Sequence, residues 1–230
     1  MRTLGILGGM AWPSTADAYR LINEEVGRRL GGVHSAPLLV LSFDFAEIED
    51  LQSTGQWEEA GRMLADGGAR LEQAGAQALF LCTNTMHKVA PAIEAATRIP
   101  LLHIADATAN AVQSAQIHRV GLLGTSFTME DDFYRGRLAG FGLDVLVPDT
   151  QQRATVHRVI YGELVKGEVH EGSRKLYLKI IEDLINRGAQ GIIAGCTEIE
   201  LLVGAGDVPL PYFPTTRVHV LSAVDWILTD

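Results

Sequence analysis

Length, composition and charge exclude several classes of protein. The chain has 230 residues, of which 47% are hydrophobic and 20% charged, and its formal net charge is −9 at pH 7. These values are typical of one globular domain or two small ones, and an acidic chain without a basic stripe is not expected to bind nucleic acid. We see no membrane-spanning run, no signal peptide and too few cysteines for a disulfide scaffold, so we expect a cytoplasmic protein with reduced thiols.

Strand-like and helix-like segments alternate along the chain. The strand-like segments are apolar on both sides, as expected of parallel strands covered by helices on both faces. In chain order they are residues 3–7, 37–43, 78–81, 101–103, 119–123, 144–147, 191–194 and 212–213. The helix-like segments are residues 14–30, 56–73, 88–96, 105–115, 129–138, 151–164, 173–186 and 218–228. This alternation predicts a doubly wound α/β fold, with Ser14 or Thr15 capping the first helix.

An internal repeat divides the chain into two similar halves. Residues 75–84 resemble residues 188–197, an offset of 113 (188 − 75), and residues 4–9 resemble residues 120–125, an offset of 116 (120 − 4). The repeat predicts two similar α/β halves around one cleft. The first half comprises residues 1–105 with a C-terminal helix at 216–230, and the second comprises residues 106–215. At the first offset Cys196 aligns with Thr83 (196 − 113 = 83), not with Cys82.

Three segments that follow predicted strands carry glycines or polar side chains. Residues 5–10 join a strand to a helix, and their backbone amides either approach an anion or simply make a tight turn. Residues 82–87, Cys-Thr-Asn-Thr-Met-His, follow a buried strand, where ligands bind in open α/β sheets; the alternative is a capped helix start with Cys82 as a small buried residue. Residues 195–199 hold the matching place in the second half. A helix N-terminus there is expected to lower the pKa of Cys196, and the alternative is a structural cysteine beside a capping Glu198.

Other common kinds of site are not indicated. The seven histidines lack the spacing of metal ligands, so we expect no metal. The chain has neither the serine elbow of the hydrolases nor a fingerprint for nucleotide phosphates. His87 lies close to the first polar segment, where a structural contact is the simpler interpretation.

Four stretches together resemble the aspartate/glutamate racemase family, which works without pyridoxal phosphate. They are Gly8-Gly9-Met10 with Ser14-Thr15, Cys82 to His87, Gly124-Thr125 with Phe127 to Glu130, and Gly195 to Ile199, and they span nearly the whole chain. The resemblance implies two pseudo-symmetric Rossmann-like halves with mostly parallel sheets, a small amino-acid substrate between them, no cofactor and a homodimer. It also implies two opposed residues, of which one removes the α-proton and the other returns a proton to the far face.

The resemblance assigns these two roles to Thr83 and Cys196. Many family members have Cys-Asn-Thr in the first half and Gly-Cys-Thr in the second. Here Thr83 precedes Asn84-Thr85, so Thr83 occupies the position of the family's first cysteine, and Cys82 lies one residue before that position. In an extended segment one step turns a side chain to the opposite face. We therefore expect Cys196 as the thiolate base, Thr83 as the proton donor, and L-amino acids as the better substrates.

The resemblance also suggests a set of substrate contacts: Met10 (through its backbone), Gln52, Asn84, Thr85, Thr125, Lys166 and Thr197. Gln52 is expected in a loop where relatives often have arginine, and its neutral amide weakens selection for a second carboxylate. Lys166 is either a substrate contact or a solvated lysine at a helix end. Two other functions stay open: a small-carboxylate-binding protein with weak or lost turnover, and an isomerase or decarboxylase of the same fold.

Overall fold

The computed structural model describes residues 1–229. The chain divides into two compact units, which we call unit 1 and unit 2. Unit 1 comprises Met1–Ile104 and the C-terminal residues from His219 onward, and unit 2 comprises Ala105–Val218. None of the helices described is long and apolar enough to cross a bilayer.

Unit 1 is built on a four-stranded parallel sheet with the strand order β2-β1-β3-β4. Its strands are β1 (Leu4–Gly8), β2 (Leu38–Ser42), β3 (Ala78–Leu81) and β4 (Leu101–Leu102). Its helices are α1 (Trp12–Leu30), α2 (Phe45–Ser53), α3 (Trp57–Gln73) and α4 (Ala90–Ala96), with a 3-10 turn at Thr85–Val89. Strand β2 lies on one side of β1, and β3 and then β4 lie on the other side.

Strand alternation gives this sheet two buried faces. On β3, Leu79 and Leu81 belong to a core with residues of α2, α3 and α4. Ala78, Phe80 and Cys82 belong to the opposite core, with residues of α1 and of the C-terminal helix. Side chains of neighbouring strand residues point to opposite faces, and burying a large apolar side chain contributes about 1.5–3 kcal/mol. Apolar residues on both faces therefore fix the register of β3 up to Cys82.

Unit 2 repeats the same architecture. Its strands are β5 (Arg119–Gly124), β6 (Asp144–Leu146), β7 (Ile192–Gly195) and β8 (Tyr212–Pro214), in the parallel order β6-β5-β7-β8. Its helices are α5 (Ile104–Ser114), α6 (Ser126–Glu130), α7 (Asp132–Gly140), α8 (Thr150–Gly162) and α9 (Glu171–Asn186), and α10 (Thr215–Leu228) carries the chain back to unit 1. Three 3-10 turns occupy Leu164–Lys166, Thr197–Leu201 and Ala205–Asp207. The mixed α/β fold with two similar parallel sheets confirms the prediction.

Sheet register reproduces both offsets of the internal repeat. Leu7 pairs with Leu81 in unit 1, and Leu123 pairs with Ala194 in unit 2. The offsets are 116 for the central strands (123 − 7) and 113 for their neighbours (194 − 81). Counting two residues onward from Leu81 and from Ala194 makes Thr83 the equivalent of Cys196. Backbone pairing therefore agrees with the repeat: once Leu7 is aligned with Leu123, as the sequence repeat aligns them, Leu81 aligns with Ala194.

Some local expectations were wrong. The segment expected as a loop around Gln52 is helix α2, which Asp44 caps by accepting a hydrogen bond from the amide of Ala46. The expected helix over residues 129–138 is two short helices, α6 and α7, which meet at Asp131. Neither Ser14 nor Thr15 caps α1, because both lie inside it and its N-cap residue is Ala11.

Candidate active site

The polar segments lie at the switch point of each sheet. In unit 1 the chain order changes direction between β1 and β3, which are neighbours, and in unit 2 it does so between β5 and β7. In open α/β sheets ligands bind outside the carboxyl ends of strands at such a switch point. The residues after β1 and β3 therefore share one end of the first sheet, and those after β5 and β7 share one end of the second.

The turn after β1 is shaped by Gly8, Gly9 and Thr15. The Gly9 amide donates to Thr15 Oγ1 at 2.8 Å. Gly9 has a φ of +89°, and a Cβ there would overlap the backbone of Phe43, so only glycine fits without strain. A Cβ on Gly8 would lie 2.7 Å from Thr15 Oγ1 and would overlap Thr15 Cγ2. The turn thus brings backbone close to α1 and leaves Met10 buried just beyond.

Cys82 and Thr83 have different surroundings. Cys82 is 3% exposed, lies in the core beneath α1, and donates a weak hydrogen bond from Sγ to the Ser14 carbonyl at 3.4 Å. Its own amide donates to Leu7 O, so Cys82 still follows the strand ladder. Thr83 is half-buried and starts the turn that leaves the sheet. Cys82 therefore has the environment of a packing residue.

The remaining unit 1 candidates surround this turn. Asn84 and Thr85 are both buried at the start of the 3-10 turn Thr85–Val89. Asn84 is its N-cap residue, although its side chain does not make the capping hydrogen bond. Gln52 is 5% exposed, and its Nε2 donates to Met86 Sδ at 3.0 Å. The structure thus brings Gln52 to the same polar segment, from a helix and not from the expected loop.

In unit 2 Thr125 follows the end of β5 and Cys196 follows the end of β7. The last residues of these two strands, Gly124 and Gly195, pair with each other, so Thr125 and Cys196 leave the sheet at the same place. Thr125 is buried and caps α6 by accepting a hydrogen bond from the Thr128 amide at 3.3 Å. Cys196 is the N-cap residue of the 3-10 turn Thr197–Leu201 and is 9% exposed.

The Cys196 thiol is held by a carboxylate. Cys196 Sγ donates to Glu198 Oε2 at 2.9 Å, and Thr197 Oγ1 donates to the same oxygen at 2.6 Å. Burial and the negative charge of Glu198 raise the pKa of the Cys196 thiol well above its ordinary value. Both causes disfavour the thiolate.

The expectation that a helix N-terminus lowers the pKa of Cys196 is therefore wrong. The turn after Cys196 is one 3-10 segment of five residues, too short to build a large dipole. Glu198 was expected to face the amides of that turn, but its carboxylate points back to the thiol. Sequence reasoning placed Glu198 on the first turn and missed this contact; the available signal was an acidic residue two positions after the cysteine.

Lys166 lies near this segment on an exposed turn. The 3-10 turn Leu164–Lys166 packs against the 3-10 turn Thr197–Leu201, and Lys166 itself is exposed. The structure thus brings the lysine's turn beside that of Cys196. Within residues 1–229, no three His, Cys, Asp or Glu side chains are grouped closely enough to hold a metal ion.

These features define the class of protein. Two α/β units of equal topology, each with a polar segment at its switch point, form the two-domain fold of the amino-acid racemases. The chain belongs to the Asp/Glu/hydantoin racemase family, whose sequence model matches residues 7–223.

Three similar proteins illustrate the family relationship. The chain is 50% identical to a proposed Asp/Glu racemase from Yersinia pestis, with a TM-score of 0.95 and full coverage of both chains. It is 29% identical to an aspartate racemase homologue from Pyrococcus horikoshii OT3, with a TM-score of 0.85 and again full coverage of both. It is 26% identical to the broad specificity amino-acid racemase RacX of Bacillus subtilis (strain 168) over 171 residues, which are 74% of each chain.

Proposed function

We propose that this chain is a cofactor-independent racemase of the aspartate/glutamate type, which transfers protons on both faces of the α-carbon and favours L-amino acids. The observation that carries the proposal is the equivalent position of Thr83 and Cys196 in the two sheets. Thr83 lies two residues after Leu81, which pairs with Leu7, and Cys196 lies two residues after Ala194, which pairs with Leu123. A two-sided reaction needs one proton-transfer group on each face of the α-carbon, and these two residues hold the same place in their sheets.

Cys196 is the base that takes the α-proton of the L-enantiomer. Because its pKa is raised by burial and by Glu198, the resting enzyme holds a neutral thiol. Glu198 is hydrogen-bonded to that thiol and is the group placed to take its proton. The thiolate then removes the α-proton, and the electron pair of the C–H bond moves into the substrate carboxylate as an enolate.

Thr83 returns a proton to the opposite face. Its hydroxyl is a weak base but an adequate donor, directly or through one water. When the D-enantiomer leaves, Cys196 carries the substrate's proton, Glu198 releases its proton to solvent, and Thr83 regains one. Because enantiomers have equal free energies, kcat/KM for inversion is the same in both directions, and the unequal pair affects α-proton exchange instead. The thiol exchanges the α-proton of the L-enantiomer faster than the hydroxyl exchanges that of the D-enantiomer, which is why we propose L-amino acids as the better substrates for exchange.

The substrate grips come from side chains at the same sheet ends. An enolate is formed only if developing charge on the carboxylate is stabilised by donors that are already in place. Asn84 and Thr85 in unit 1 and Thr125 in unit 2 are buried polar residues at the sheet ends. Met10 is buried just after the first turn of unit 1, and Gln52 donates to Met86 next to Thr85. In unit 2, Thr197 follows Cys196 and shares its partner Glu198, and Lys166 lies on a turn that packs against Thr197–Leu201.

Deuterium labelling tests this function. Purified protein is incubated in deuterated water with L- or D-aspartate or glutamate, and the α-proton signal is followed by NMR while chiral chromatography measures inversion. We expect both α-deuteration and inversion, and we expect the α-deuteration to be faster from the L-enantiomers. Cys196→Ala is expected to abolish labelling and to keep the wild-type circular dichroism spectrum. Full labelling by the Cys196→Ala protein would contradict the assignment of the base.

A carboxylate-binding protein without turnover is the second candidate. Two observations favour it: a threonine stands where relatives have their first cysteine, and the Cys196 thiol resists ionisation. Calorimetry distinguishes the two functions, since a binder would release heat with aspartate or glutamate while the α-proton signal stays unchanged. The homodimer and the cytoplasmic location stay predictions; sedimentation velocity and cell fractionation test them.

A further inference from the structure

Thr83 is oriented by hydrogen bonds on both sides of its α-carbon. Its amide donates to Leu81 O at 2.9 Å, and its carbonyl accepts a hydrogen bond from His87 Nδ1 at 2.7 Å. Together these bonds fix the two peptide planes that flank Thr83 and so fix the direction of the Cα–Cβ bond from which its hydroxyl projects. One of the two bonds comes from a side chain.

Two partners set the protonation state of His87. The Ile104 amide donates to His87 Nε2 at 3.2 Å, and a backbone amide can only donate, so Nε2 carries no proton. The Thr83 carbonyl can only accept, so Nδ1 carries the proton. His87 is therefore a neutral imidazole in one tautomer, and at 1% exposure it is enclosed by protein.

Other rings hold His87 in place. The His103 ring meets it edge-on with the centroids 4.4 Å apart, and the His219 ring does so at 5.9 Å. His219 is itself fixed by stacking on Phe80 at 3.8 Å and by donating from Nε2 to Leu102 O at 2.6 Å. A side chain packed this way keeps one rotamer, so its hydrogen bond to Thr83 is held in one direction.

The corresponding carbonyl in unit 2 is held differently. Cys196 O accepts a hydrogen bond from the backbone amide of Ile199 at 3.1 Å. The hydrogen bond to the Cys196 carbonyl thus survives most side-chain substitutions nearby, whereas the hydrogen bond to the Thr83 carbonyl depends on one imidazole.

We infer that His87 is a positioning residue for the proposed proton donor Thr83, acting through the Thr83 carbonyl in its Nδ1-protonated form. The inference rests on the proposed function. It predicts that loss of the Nδ1 donor harms delivery of a proton to the far face and leaves proton removal by Cys196 intact. A general loss of folded protein would lower both.

Two substitutions separate the two hydrogen bonds of His87. His87→Asn places an amide donor near the position of Nδ1 and keeps the bond to Thr83 O. His87→Gln places its amide near the position of Nε2, so it can keep the bond from the Ile104 amide and loses the donor to Thr83. His103→Gln is the matched control, because it perturbs the same cluster and leaves the donor to Thr83 in place.

Each protein is incubated with L-glutamate or L-aspartate in deuterated water, and α-deuterated L- and D-product are measured separately. Deuterated L-product forms when the Cys196 thiol exchanges with solvent and returns a deuteron to the same face, and deuterated D-product forms by delivery from the Thr83 side. Because only folded enzyme forms either product, the ratio of deuterated D-product to deuterated L-product does not depend on the fraction of protein that is folded.

We expect His87→Gln to lower this ratio at least tenfold while deuterated L-product persists, and His87→Asn and His103→Gln to stay within about twofold of wild type, since a positioned acid or base usually changes a rate by ~10²–10⁴. A wild-type ratio in His87→Gln would overturn the inference, as would an equal fall in His87→Asn and His87→Gln. Absence of label with the wild-type protein would instead overturn the proposed function, and the inference with it.

Discussion

The Cys196 thiol and the Glu198 carboxylate share a hydrogen bond of 2.9 Å between Sγ and Oε2. A carboxylate this close to a buried thiol opposes its ionisation, yet it is also the nearest acceptor for the proton that the thiol must lose. The same pair of residues therefore keeps the base neutral at rest and provides a route to its ionised form.

Alkylation kinetics should reveal the raised pKa of Cys196. Because burial and Glu198 both disfavour the thiolate, we expect iodoacetamide to modify Cys196 slowly at neutral pH and faster only above the ordinary thiol range of ~8.5. Glu198→Gln removes the charge, lowers the pKa and moves the rate profile to lower pH. Glu200→Gln, an exposed carboxylate on the same turn, should leave it unchanged. Peptide mass spectrometry assigns the label to Cys196, and maximal wild-type reaction at pH 7 would contradict the assignment.

Glu198→Gln should lower the rate of catalysis, although the same substitution raises the rate of alkylation near neutral pH. Burial, the largest cause of the raised pKa, is unchanged by this substitution, so the thiol stays mostly neutral at pH 7 while its proton acceptor is lost. We expect α-deuteration of L-substrate to fall by ~10²–10⁴, the usual contribution of a positioned base, with Glu200→Gln near wild type. If Glu198 were a bystander, labelling would instead rise together with the fraction of thiolate.

The sequence alone predicted the two parallel sheets and the equivalence of Thr83 with Cys196, because both depend on patterns that repeat along the chain. Buried parallel strands are apolar runs, and the offsets of the repeat are the same as those of the strand register. Helix α2 was missed because its short amphipathic pattern follows a strand without a glycine or proline boundary. The thiol–carboxylate contact and the bond from His87 to Thr83 were also beyond reach, since a rotamer and a turn geometry decide each of them.

Gly8→Ala tests the close approach of the first turn to α1. The added Cβ would overlap Thr15 and displace the hydroxyl that accepts a hydrogen bond from the Gly9 amide. Overpacking of this kind costs ~1–3 kcal/mol, measured as the free energy of unfolding in urea. Gly172→Ala is the control, because Gly172 lies in α9 with open space around its α-carbon, and alanine there should be neutral or stabilising by up to ~1 kcal/mol. Gly8→Ala should cost less in a Thr15→Ala background, and an equal cost in both backgrounds would show that Thr15 is not the obstacle.

Neighbouring substitutions at Cys82 and Thr83 decide which residue faces the substrate. Cys82 is a core residue beneath α1, so Cys82→Ala should cost of order 1 kcal/mol of stability and leave racemisation largely unchanged. Thr83→Ala should remove the proton donor and slow racemisation by ~10²–10⁴. Chiral chromatography of D- and L-substrate reactions and urea unfolding measure the two effects.

Thr83→Cys adds a test with a gain of activity. It places a thiol on the side that has only a hydroxyl, so α-proton exchange of the D-enantiomer in deuterated water should increase relative to that of the L-enantiomer, whose base Cys196 is unchanged. The gain is informative because damage to the fold cannot produce it. An inactive Cys82→Ala protein beside an active Thr83→Ala protein would mean that Cys82 is the donor. The chain would then have to leave the β3 ladder one residue earlier than the Cys82 amide bond to Leu7 O indicates.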